Sequence, residues 1–103
     1  MNNEELIALI EAEWDLDNGF LGRLRQGQFD RACYSRCSQA LERIQREVRN
    51  GDSMSRRLVS LLWYIPLFMS WQAERVKGSI DAQEYQRIAN QIEGKLEEIL
   101  GVP

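Results

Sequence analysis

Histidine is absent from this sequence of 103 residues. The side chain that most often serves as general base, metal ligand and pH-sensitive switch is therefore missing. Two cysteines without histidine are too few for the four strong ligands of a typical zinc site. Phosphate-binding loops, nucleophile elbows and dinucleotide fingerprints are also absent from the sequence. We therefore predict a protein that is not an enzyme and that holds no metal or cofactor.

Proline and long apolar runs are scarce as well. There are only 2 prolines and 7 glycines, and the hydrophobic fraction of 44% is that of a folded globular protein. The longest apolar run, residues 61–69, is far shorter than the roughly 20 residues that span a bilayer. The acidic start resembles neither a secretory signal nor a transit peptide. We expect one domain, residues 1–103, without membrane contact.

Cysteine placement bears on the compartment. Cys33 and Cys37 lie four residues apart, and on one helix their Cβ atoms are too far apart for an unstrained disulfide. We interpret both as reduced thiols that pack in the core, and we expect a cytoplasmic protein.

Helical patterns cover most of the chain. In the first segment Leu6, Leu9, Ile10, Glu13 and Trp14 recur at helical spacing. The sequence predicts helices over about residues 3–15, 20–26, 30–50 and 54–77, and from Ser79 or Asp81 to Leu100. The predicted fold class is all-α, a compact bundle of four to five helices.

Several residues are expected to start or end these helices. Asn2 and Asp81 stand three residues before a glutamate, which is the spacing of a capping box. Asp52 or Ser53 is expected to cap the fourth helix, and Gly51 to end the third.

The fourth predicted helix is apolar almost all round. It contains the segment LLWYIPLFMSW, so we expect it to form the buried centre, with a kink at Pro66. In the last helix Gly94 interrupts the pattern, and we expect a neighbouring helix to approach closely there.

Charge is distributed unevenly. Residues 1–18 carry a net charge of −6, residues 19–57 a net of +5 and the remainder a net of −2. The basic segment holds nine arginines, which form either a solvated helix face paired with acids or a nucleic-acid-binding field. These are Arg23, Arg25, Arg31, Arg36, Arg43, Arg46, Arg49, Arg56 and Arg57. We favour the solvated face, because acids are interleaved and the pI is near 5.0.

The first helix carries a row of acids. Glu4, Glu11 and Asp15 fall within about 40° of one another at 100° per residue, and Asp17 continues the charge into the following turn. Repulsion within the row and the helix dipole both disfavour it. The row therefore binds a basic partner, docks onto the protein's own arginines or only solubilises the helix.

The turn after this helix reads DLDNGF, residues 15–20. Its glycine and its twelfth position do not fit an EF-hand, so we interpret it as a turn at Asn18 and Gly19. Phe20 follows, with Leu21 and Leu24. If these side chains are exposed, Phe20 is an apolar anchor with an acidic rim, and if they are buried the stretch is a structural corner.

The segment EWDLDNGFLGRLRQGQFD, residues 13–30, and the later WYIPLF, residues 63–68, resemble those of helical immunity proteins of bacterial toxin systems, including contact-dependent growth inhibition. The resemblance implies a stoichiometric inhibitor of one toxin domain, such as a basic nuclease. From the charge pattern we predict partner-binding residues Glu4, Glu11, Asp15, Asp17 and Phe20. The alternatives are a nucleic-acid-associated or regulatory protein that uses the arginines, and a homo-oligomer joined through its last two helices.

Overall fold

The computed structural model describes residues 2–48 and 53–103. These residues form helices and no strand, which confirms the predicted all-α class. The helices are α1 (Asn3–Trp14), α2 (Phe20–Arg25), α3 (Arg31–Glu47), α4 (Arg56–Gln72) and α5 (Ala82–Leu100).

Two predicted helix starts are confirmed by side-chain caps. The Asn2 side-chain oxygen accepts the N–H of Glu5 at 2.9 Å. The Asp81 carboxylate accepts the N–H groups of Gln83 and Glu84, each at 3.1 Å. Each cap satisfies backbone donors that have no partner inside the helix.

The middle helices are shorter than predicted. Helix α3 ends at Glu47, and the predicted end at Gly51 lies outside the described residues. Helix α4 starts later than expected, because Ser55 rather than Ser53 caps it by accepting the N–H of Leu58 at 3.1 Å. The other predicted cap, Asp52, also lies outside the described residues.

Helix α4 ends early but is not divided by its proline. Pro66 lies inside one continuous helix from Arg56 to Gln72. The predicted extension to residue 77 is wrong, because turns replace the helix after Gln72.

The four long helices form a ring. Helix α1 contacts α3, α3 contacts α5, α5 contacts α4, and α4 contacts α1. Helices α3 and α4 are consecutive in the chain yet occupy diagonal corners. Apolar stripes from all four meet in one core, with α2 added at one end.

Ion pairs and hydrogen bonds give the directions of the helices. Arg31 binds Glu84 at 2.7 Å and Glu42 binds Lys95 at 3.5 Å, so α3 and α5 are parallel. Helices α1 and α4 are also parallel, since Glu11 binds Arg57 and Trp14 donates its indole N–H to the carbonyl of Leu61. Helix α5 runs antiparallel to α4, so α1 and α3 are antiparallel too.

Helix α2 closes the end of the bundle at which α4 ends and α5 begins. The Ser79 hydroxyl accepts the N–H of Phe29 at 2.9 Å. Arg75 donates to the carbonyl of Arg25 at 3.2 Å. These bonds join the chain around α2 to the turn between α4 and α5.

The glycine expected to admit a neighbouring helix does not do so. A Cβ atom on Gly94 would meet no atom within 4 Å, so the prediction of a close approach there is wrong. Gly94 lies on the exposed side of α5, away from α3 and α4, the two helices that contact α5. The close approaches occur at the other end of the chain, at Gly19 and Gly22.

Candidate protein-interaction surface

The predicted apolar anchor, Phe20, lies in the core. Its exposed fraction is 0%, and its ring packs edge-on against Phe29 at 5.5 Å between centroids. Leu21 and Leu24 are equally buried. The prediction of Phe20 as an exposed anchor is therefore wrong. Helix α2 has only six residues and inserts into the end of the bundle, so most of its surface is covered.

Two glycines make this insertion possible. A Cβ on Gly22 would lie 1.9 Å from the carbonyl oxygen of Asp15, and one on Gly19 would lie 2.4 Å from that of Glu13. Any larger side chain would collide with the backbone at the end of α1. The stretch from Glu13 to Gly27 is thus a structural corner.

A buried carboxylate holds the corner together. The Glu13 side chain is 2% exposed, and both of its oxygens accept from the Arg36 guanidinium, at 3.0 and 3.1 Å. One of them also accepts the N–H of Phe20 at 3.2 Å, and Arg36 donates to the carbonyl of Asn18 at 2.6 Å. Hydrogen bonding to Glu13 raises the pKa of the Arg36 guanidinium. The network joins α1, α2 and α3.

Of the four acids predicted to bind a partner as an acidic rim, two make contacts within the fold. Glu11 binds Arg57 at 2.8 Å. One Asp15 oxygen accepts the N–H groups of Asp17 and Asn18, at 3.2 and 2.9 Å, and so fixes the turn after α1. Substitution of Asp15 would disturb the turn as well as any interface, whereas the exposed Glu11–Arg57 pair contributes little to stability.

The other two rim acids are available. The side chains of Glu4 and Asp17 are exposed and have no ion-pair or hydrogen-bond partner within residues 2–48 and 53–103. Their use by a partner protein stays a prediction.

Many of the arginines bind acids of the same chain. Of the eight that the structure describes, five are ion-paired: Arg23 with Asp30, Arg31 with Glu84, Arg36 with Glu13, Arg43 with Glu47 and Arg57 with Glu11. A sixth, Arg25, lies over the Phe68 ring at 5.1 Å. This internal pairing weakens the positive field that nucleic-acid binding would need.

A large open groove lies between α1 and α3, with a volume of about 700 Å³. Its apolar lining consists mainly of small side chains, namely Ala8, Ala12 and Ala40, together with Leu9. Three arginines of α3 also line it, but Arg36 and Arg43 are ion-paired. The groove therefore offers little uncompensated charge to a ligand.

Helix α4 exposes a stripe of large apolar side chains, which we name the α4 face: Trp63, Leu67 and Trp71. Their exposed fractions are 53%, 39% and 57%. The prediction that α4 forms the buried centre is therefore wrong on this side. The physical reason is that α4 packs against α1, α2 and α5, and these contacts leave the α4 face uncovered.

The aromatic rings of the α4 face support one another. Tyr64 contacts Trp63 and Trp71 edge-on, at 5.6 and 5.7 Å between centroids. Tyr64 also contacts Trp14 of α1 at 6.1 Å. Tryptophan side chains held in this way lose little conformational entropy when a partner covers them.

The thiols and carboxylates offer little for metal chemistry. Cys33 and Cys37 are free and buried, as predicted, and burial raises the pKa of the Cys37 thiol. Within the described parts of the chain, no three potential histidine, cysteine or carboxylate ligands come together.

The chain matches no family model, no curated protein and no solved structure. No helix in the part of the chain that the structure describes has the length and apolar character needed to cross a membrane. The α4 face must therefore be interpreted from its own chemistry.

The sequence analysis placed an oligomeric interface on the last two helices but did not single out the residues of the α4 face, although a signal was present. Trp63, Leu67 and Trp71 are spaced four residues apart, which places them on one side of a helix. An all-round apolar helix in a bundle of four has one side that no neighbour covers, and these three residues mark it.

Proposed function

We propose that this chain is a non-catalytic protein-binding domain, an immunity-type inhibitor that neutralises a cognate bacterial toxin domain in the cytoplasm. The exposed tryptophan pair of the α4 face carries the proposal, with Trp63 and Trp71 replacing Phe20 as apolar anchors. Tryptophan is among the residues most enriched at binding hot spots, and contiguous exposed apolar surface marks interaction sites.

The charge around the fold favours a basic partner. The chain has a net charge of −3. Glu4 and Asp17 carry negative charge that no described residue neutralises, and so do Glu93 and Glu97 on α5. Such charges accelerate encounter with a positively charged protein, while the tryptophans would determine how long the complex lasts. A basic toxin nuclease domain has this chemistry.

The anchors can be tested with the double variant W63A/W71A. Against a basic toxin domain encoded beside this gene, we expect each tryptophan to contribute about 2 kcal/mol or more, so that the affinity falls by roughly a thousandfold. Isothermal titration calorimetry gives the affinity, and circular dichroism verifies the helical content of each variant.

Leu16 provides a matched control, because it is 51% exposed and lies outside α4. Leu16→Ala should leave the affinity within about threefold of the parent. If L16A weakens binding and W63A/W71A does not, the corner between α1 and α2 is the contact and the α4 face is not.

The acidic rim can be tested separately with the charge reversals E4K and D17K. Both side chains lack partners in the described chain, so the fold should be unaffected. We expect the association rate constant with the toxin domain to fall about 10-fold at low salt for the double variant. The difference should fade as salt is added, because screening shortens the range of the charges.

The amide variant E4Q/D17N is the graded control. Its association rate constant, measured by stopped flow, should lie between those of the parent and of E4K/D17K. An association rate that is the same for all three proteins would remove these two residues from the interface.

A specific observation favours one second candidate, a homo-oligomer. The α4 face lies on one of the last two helices, for which the sequence predicts an oligomeric interface, and a second copy could cover it. Sedimentation velocity at micromolar concentration distinguishes the two functions. A dimer that becomes a monomer in W63A/W71A would replace the inhibitor proposal.

A further inference from the structure

The α4 face continues onto α5 at a small open pocket of about 170 Å³. Trp63 and Pro66 line it from α4, and Leu96 and Leu100 line it from α5. This apolar lining can accommodate the methylene stem of one extended side chain.

Two carboxylates line the same pocket. Glu93 and Glu97 lie one turn apart on α5, and both are exposed. Neither has an ion-pair or hydrogen-bond partner among the residues the structure describes, although most other acids of the long helices are paired. None of the described residues that line the pocket is basic.

The end of α5 adds to this negative potential. Gly101, the residue that ends the helix, also lines the pocket. A helix C-terminus carries a partial negative charge that basic residues commonly offset. The last turn of α5 contains no basic residue. Trp63 in the lining favours a cation as well, since tryptophan is the best partner for cation–π contacts.

We infer that this pocket receives a lysine or arginine side chain from the partner protein, an inference that rests on the function proposed above. The methylene stem packs on Trp63 and Pro66, and the cationic group lies between Glu93 and Glu97. Apolar lining, unpaired carboxylates and an uncompensated helix end together fit a long cationic side chain better than an apolar one.

The test uses the whole chain, labelled for NMR, and three small probes. N-acetyl-lysine methylamide and N-acetyl-arginine methylamide are cationic, and N-acetyl-norleucine methylamide is neutral. We expect the cationic probes to shift the indole N–H signal of Trp63 and the amides of Glu93 and Glu97, with dissociation constants of about 10 mM. The neutral probe should bind at least about 5-fold more weakly.

Two variants make the result specific. E93Q/E97Q should weaken the cationic probes by about 5-fold and leave the neutral probe unchanged. Glu5→Gln, which removes an exposed carboxylate of α1 that has no ion-pair or hydrogen-bond partner among the described residues, should change neither. Equal binding of lysine and norleucine probes, unchanged affinity in E93Q/E97Q, or no shift at Trp63 up to about 100 mM would each overturn the inference.

These measurements need no partner protein, so they separate the two proposals. If the parent chain binds the cationic probes but W63A/W71A still binds the toxin domain, the function proposed for the α4 face is wrong and the pocket stands. Tryptophan-dependent toxin binding without any probe binding would count against the pocket only.

Discussion

Replacing Gly22 with alanine is expected to destabilise the protein by at least about 3 kcal/mol, although alanine is the better helix former. The new Cβ would lie 1.9 Å from the carbonyl oxygen of Asp15 and 2.5 Å from its carbonyl carbon. Both atoms belong to the backbone, so no side-chain rotation can relieve the collision. Helix α2 must move away from α1, which exposes the phenyl ring of Phe20.

Gly94 gives the matched control, because it also lies inside a helix but a Cβ added there would meet no atom within 4 Å. Gly94→Ala should stabilise the protein by about 0.5–1 kcal/mol. Urea unfolding measures both values, and equal slopes show that the unfolded states are comparable. A stabilising effect of both substitutions would contradict the packing at the corner.

Removing the positive partner of Glu13 is the second substitution with a large expected effect. Arg36→Gln leaves a carboxylate that is 2% exposed without its ion pair, and we expect a loss of about 3 kcal/mol. Glu13→Gln should cost less, about 1–2 kcal/mol. Its amide oxygen can still accept the N–H of Phe20, and Arg36 is half exposed and can be hydrated.

The double variant E13Q/R36Q gives the sharpest result. It should be more stable than R36Q alone by about 1 kcal/mol, because the second substitution removes the buried charge. Thermal or urea unfolding of all four proteins completes a double-mutant cycle. Strictly additive losses would show that the two side chains act independently, against the geometry of the corner.

Much of the fold could be predicted because helix caps and apolar stripes are local in sequence, and the helices form where these signals occur. Asn2 and Asp81 cap their helices as expected, since a cap depends only on neighbours three residues away. The stripe of α1 even included Glu13 among apolar residues, and that side chain is buried. The pattern did not identify Arg36 as its partner, because the two residues are 23 apart in the chain.

The candidate site was predicted less well, for reasons of tertiary packing. A helix of six residues has too few turns for its apolar pattern to distinguish a surface helix from one that inserts into the core. The prediction therefore places the buried Phe20 on the surface. For α4 the pattern was apolar in every direction and could not show which side lacks a neighbour. Only the ring of helices determines that Trp63 and Trp71 face outward.

The diagonal placement of α3 and α4 has a consequence for how the chain folds. Helices α1 to α3 form one antiparallel hairpin and α4 with α5 forms another, and each can assemble from neighbours in the chain. The contacts that join the hairpins are distant in sequence, for example Trp14 with Leu61, 47 residues apart, and Arg31 with Glu84, 53 apart. Helices α3 and α4 are not adjacent in the ring, so the hairpins are joined through the contacts of α1 with α4 and of α3 with α5. We therefore expect closure of these long loops to be the slow step of folding.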